Sequence, residues 1–82
     1  MENIEKYRKQ IDNTDRYIVK FIERRVHFSK EIGKEKKANN ISIQDDVREA
    51  SIRQVLKTKS TLKDSEIDDI CTILFKISKE NQ

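Results

Sequence analysis

An 82-residue chain with 34% hydrophobic and 40% charged residues, one Gly, no Pro and one Cys excludes several classes of protein. A strand-rich fold needs turn residues that this composition lacks, and a single Cys rules out a disulfide framework or a multi-cysteine metal site. The formal net charge is only +3, and no apolar run approaches the roughly 20 residues of a membrane span.

The expectation that remains is an all-α domain of a reducing, cytoplasmic compartment, Met1 to Gln10 lacking the apolar stretch of a signal peptide. Twelve Ile, three Leu, four Val and three Phe suffice to fold the chain but leave little core to spare. Nothing in the composition can staple so small a domain, so a partner chain is the expected supplement.

From Ile4 onward a seam recurs in steps of three and four: Ile4, Tyr7, Ile11, Thr14, Ile18, Phe21, Arg25, Phe28, Ile32. This spacing predicts one helix over residues 3–38, ending at Asn39 and Asn40, which tolerate a left-handed cap. Such a helix is about 54 Å long, against roughly 30 Å for the diameter of a compact globule of this size. Its own chain cannot cover it, and an identical helix from a second copy would. A second helix is predicted from Asp45 or Asp46 to about Thr58, with Val47, Ser51, Ile52, Val55 and Leu56 on its apolar side. After a connection at residues 59–63, Asp64 is expected to cap a third helix whose inward face is Ile67, Ile70, Cys71, Leu74, Ile77 and Ser78. All 82 residues are expected to form one domain of three helices, one long and two shorter.

The informative residues are polar ones inside apolar stripes. Arg25 sits in the seam, where an unpaired guanidinium costs several kcal/mol, so an anion must meet it: Glu49, Asp45, a carboxylate of a partner chain, or a ligand. Lys36 points the same way about 16 Å further along the axis, either as part of a solvated helix end or as a second ligand for a small dianion. Arg8 is a surface residue or a site residue. In the second case the 17 residues between it and Arg25 span about 26 Å, so only an antiparallel partner helix could bring both to one small molecule. Ser78 and Gln82 extend the stripe of the third helix, as a cap, a frayed end or a polar lining. Asp45, Arg48 and Glu49 share a face, for which a local ion pair is the default. One His and one Cys provide neither a nucleophile with its base nor a metal cluster, and no large basic patch points to nucleic acid.

The ordered set Arg8, Ile11-Asp12-x-x-Asp15, Arg25, Ile32-Gly33-x-x-Lys36, Asp45-x-x-Arg48-Glu49-Ala50 and Ser78-x-x-x-Gln82 resembles the all-helical (AroQ-type) chorismate mutases over nearly the whole chain. The resemblance implies an intertwined homodimer that rearranges chorismate to prephenate with no cofactor and no metal. It implies that Arg25 and the second copy's Arg8 hold the substrate carboxylates. Lys36 would bind a carboxylate and the ether oxygen, and Gln82 would donate to that oxygen. Glu49, with the backbone near Arg48, would hold the C4 hydroxyl, and Asp45 and Ser78 would complete the polar lining. Isochorismate pyruvate-lyases share this architecture, and a non-catalytic helical dimerisation module is the alternative from another class. Gln82 stands last in the sequence, where a terminal turn is expected to fray.

Overall fold

The computed structural model describes all 82 residues as three helices and no strands: α1 (Glu2–Ala38), α2 (Asp46–Lys59) and α3 (Asp64–Glu80). The molecule is elongated, 57 × 24 × 16 Å, and the long dimension is that of α1. Helix α3 packs against both α1 and α2, while the two outer helices do not pack on each other.

Local chemistry accounts for the helix ends. At the end of α1, Asn40 takes φ 55°, Ile41 donates its backbone N–H to the Lys36 carbonyl at 2.8 Å, and Asn40 donates to Lys37 at 3.4 Å. This is a Schellman cap with Asn in the left-handed position, and it turns the chain back toward α1. The Asp45 carboxylate accepts the Arg48 backbone N–H at 3.0 Å and starts α2. Asp64, expected as a cap, is instead the first helical residue of α3. Residue Lys63 holds the cap position, and its backbone N–H is bound by the Glu66 side chain at 2.9 Å, because a carboxylate three residues into a helix can reach back to the open donor.

Two predicted faces are corrected. In α3 the buried residues are Ile67, Cys71 and Phe75, packed by Ile52 and Leu56 of α2, whereas Ile70 is 43% exposed. A helix wedged between two others needs two contact faces: the line through Ile67, Cys71 and Phe75 serves α2, and Leu74 and Ser78 turn toward Arg25 of α1. In α2 only Ile52 and Leu56 pack on this core, and Val47 and Val55 remain exposed. Arg53 lies over the Phe75 ring, 5.1 Å from its centroid, and donates to the Asp68 carboxylate and carbonyl.

The buried residues of α1 lie beside the apolar seam, of which Arg25 bonds to α3. Ser29 and Gly33 are the buried residues of α1, while Ile4, Tyr7, Ile11, Ile18, Phe21, Phe28 and Ile32 are all exposed in the single chain. Small residues let a neighbour approach closely. A Cβ on Gly33 would fall 2.7 Å from the Gln82 Cα and closer still to its carbonyl oxygen, so this glycine is what lets residue 82 lie on α1. The end expected to fray is packed there.

Asp68 is held between Lys57 and Arg53, each 3.0 Å away. The Lys57 hydrogen bond is the main influence holding its carboxyl below the ordinary 3.8; desolvation opposes this, and Arg53 adds to the lowering. A depressed native pKa stabilises the fold above the ordinary value, and that contribution is lost as pH falls through the native one. Asp68→Asn is therefore expected to lower the urea midpoint at neutral pH, with the gap to the parent closing as pH falls through the lowered native pKa of Asp68. A gap independent of pH would assign the loss to packing. For Gly33→Ala, helix propensity favours the variant by about 0.5–1 kcal/mol, but the methyl displaces Gln82. Hydrogen exchange is expected to slow in α1 and to speed up at residues 78–82; a C-terminal segment protected as before would refute the close-approach role.

Candidate functional site

Where the end of α1, the start of α2 and the end of α3 meet, they enclose a cavity of about 400 Å³. Seven of the eight residues singled out from sequence line it: Arg25, Lys36, Asp45, Arg48, Glu49, Ser78 and Gln82. Its apolar walls include Phe28 and Ile32 from α1, Ile52 from α2 and Phe75 from α3. Arg8 is the exception. It is exposed near the start of α1 with Glu5 at 3.8 Å, and the 17 intervening residues put it about 26 Å from Arg25 along the axis.

The two α1 cations of the cavity are positioned by neutral acceptors. Arg25 donates through Nη1 to the Ser78 hydroxyl at 3.0 Å and to the Leu74 carbonyl at 3.2 Å, two groups one helical turn apart on α3. The Lys36 ammonium donates to the Ile43 carbonyl at 2.9 Å, a contact made possible by the Schellman turn that folds residues 41–44 back over α1. None of the six ion pairs in the chain involves Arg25, Lys36 or Arg48. The salt bridge from Arg25 to Glu49 or Asp45, open from the sequence, is not made within this chain. Nor is the local pair on α2, since Asp45 is engaged as a cap and Glu49 turns to α3.

Glu49 instead meets Lys79, with Nζ 3.1 Å from Oε2, and the same ammonium donates to the Gln44 side chain at 3.1 Å. Lys79 is not among the site residues singled out from the sequence. The missed signal is Phe75: once Phe75 is placed on the face toward α2, Lys79 follows four residues later on the same side. Gln82 brings its side chain to the cavity from the far end of α3, and its Oε1 is buried without a hydrogen-bond partner. A buried polar atom without a partner costs about 1–3 kcal/mol, and an amide oxygen only accepts, so what this atom lacks within the chain is a donor.

The lining thus has apolar walls and donors contributed from all three helices and the segment after α3, the make-up of a small-molecule site. Four basic residues against two acidic ones give it a net charge of +2, which suits a small dianion. There is no group of three or more His, Cys, Asp or Glu that could hold a metal ion, and no helix is long and apolar enough to cross a membrane.

Comparison with known proteins agrees with this geometry. No curated protein and no solved structure matches the chain. A family model described as chorismate mutase type II matches residues 7–82, which includes every residue of the cavity and Arg8. An all-helical fold with a cationic pocket of this make-up, and a match over nearly its full length, make the chain a member of the type II chorismate mutase family, a family of isomerases.

Proposed function

We propose that the chain catalyses the rearrangement of chorismate to prephenate, the branch step toward phenylalanine and tyrosine, as a homodimer with two shared sites. The observation that carries this reading is the convergence of Arg25 and Lys36, neither ion-paired with a carboxylate, on one cavity with Ser78, Gln82 and Glu49. In this reading Arg25 grips a substrate carboxylate, since its planar fork matches two carboxylate oxygens. Ser78 keeps the guanidinium oriented. Lys36 binds a carboxylate and, with the Gln82 amide, meets the ether oxygen. Glu49 accepts from the C4 hydroxyl with the Arg48 backbone beside it, and Asp45 and Ser78 complete the polar surface.

Such a site needs no nucleophile, base or metal. In a Claisen rearrangement one carbon–oxygen bond breaks as one carbon–carbon bond forms within the same molecule, with no proton to move. Holding the flexible substrate in its compact reactive shape supplies part of the rate. The ether oxygen gains negative charge as its bond lengthens, and donors already aimed there supply the rest.

Dimerisation is supported by what α1 leaves uncovered. Only five of 82 residues are buried in the single chain, while the seam from Ile4 to Ile32 is exposed along a molecule 57 Å long. Burying apolar surface stabilises by about 25 cal/mol per Å², so a second α1 laid on this seam offsets the shortage of core. An antiparallel partner would carry its own Arg8 to the cavity edge. The second copy therefore completes the site as well as the fold.

Incubation with chorismate is expected to consume it with formation of prephenate, and Lys36→Ala is expected to lower kcat/KM by about 10²–10³, the size of one lost oxyanion donor. Pyruvate and salicylate released from isochorismate would instead assign the lyase reaction, and an unchanged Lys36→Ala rate would remove Lys36 from its role. Separately inactive Arg8→Ala and Arg25→Ala chains, once mixed and exchanged, are expected to recover about a quarter of the parent activity, because half the dimers are mixed and each has one intact site. Verified exchange without recovery would refute the shared site.

A further inference from the structure

The cavity contains one charged pair that the proposed chemistry does not require. Lys79 of α3 joins Glu49 of α2 at 3.1 Å, and the two side chains are 33% and 22% exposed. The same Nζ bonds Gln44 Oε1 at 3.1 Å, and the Gln44 amide in turn donates to the Asp46 carboxylate. One ammonium therefore ties α3 to α2 and to the turn that precedes it.

Of the two carboxylates facing the cavity, Asp45 is satisfied by the Arg48 backbone N–H, while Lys79 is the partner of Glu49. A bare carboxylate at this place would repel a dianion a few ångströms away, in surroundings that screen charge less than water does. Pairing through Oε2 removes that repulsion and leaves Oε1 to accept from a hydroxyl. Without Lys79 the lining would fall from +2 to +1, counting Arg25, Lys36 and Arg48 against Asp45 and Glu49.

We infer that Lys79 is a positioning residue of this site: it neutralises and aims Glu49, so that an acidic side chain can serve a hydroxyl of a dianionic substrate without repelling its carboxylates. The inference rests on the proposed reading of the substrate. It differs from a direct role, in which the Lys79 ammonium would itself grip a substrate carboxylate, and from a merely structural one, in which it would only hold α2 to α3.

A double-mutant cycle separates these roles. Initial rates with chorismate are measured for the parent, Lys79→Met, Glu49→Gln and the double variant, with Lys79→Arg as the conservative control and a thermal melt to establish that each is folded at the assay temperature. Lys79→Met is expected to raise KM about tenfold, the scale of one partly screened charge, while kcat changes less than about threefold. In the Glu49→Gln background the same substitution is expected to change KM less than about twofold, and Lys79→Arg is expected to remain within about twofold of the parent. An equal KM penalty in both backgrounds would overturn the inference in favour of direct contact. An unchanged KM, or a loss confined to the melting temperature, would overturn it in favour of a structural tie. If the parent does not turn chorismate over, the mutase reading fails on its own, and equilibrium binding of chorismate to the same proteins still decides the role of Lys79. Absence of binding by the parent would overturn that role too.

Discussion

A helix of 37 residues inside a chain of 82 sets the constraint from which the other features follow. Its length is fixed at about 55 Å by the helical rise, and the residues left over form two helices of 14 and 17 residues that can lie along only part of it. Helix α3 takes the far half of α1, where Ser29 and Gly33 allow close approach, and α2 reaches the molecule only through α3. The core that results is the row Ile67, Cys71 and Phe75, with Ile52 and Leu56 against it. So small a core is marginal, and the exposed seam on the remainder of α1 is the surface with which to enlarge it.

The same packing makes the cavity. Its floor is the α1 face bearing Arg25, Ser29, Ile32 and Lys36, and its walls are the first turn of α2 and the last turn of α3. Neutral acceptors hold the α1 cations: a serine hydroxyl and two main-chain carbonyls orient Arg25 and Lys36 while leaving their charge unspent. Elsewhere in the molecule charges are spent on each other, as in the Asp68 pairs with Arg53 and Lys57 that fasten α2 to α3. A pocket that keeps its positive charge is suited to a negative ligand, and one whose donors are held by the fold loses little reorganisation energy when charge develops on a bound molecule. That is the physical basis on which a site without general acid, base or metal is proposed to accelerate an intramolecular rearrangement.

Helix class, most helix ends and half of the fourteen cavity residues were legible in the sequence because each depends on neighbours a few positions away. The three-and-four spacing set α1, Asp45 capped α2, and Asn40 closed α1 in the left-handed conformation its side chain tolerates. Arg25 and Lys36 stood out because three helical turns put them on one face, which needs no knowledge of the rest of the chain. Only the three-dimensional packing decided which stripe of each helix is used. It turned Phe75 inward and Ile70 outward, left Val47 and Val55 in solvent, assigned Glu49 to Lys79, and placed Gln82 on Gly33. The last two of those choices link residues 30 and 49 positions apart, and periodicity along one helix has no information about which neighbour will arrive on which side.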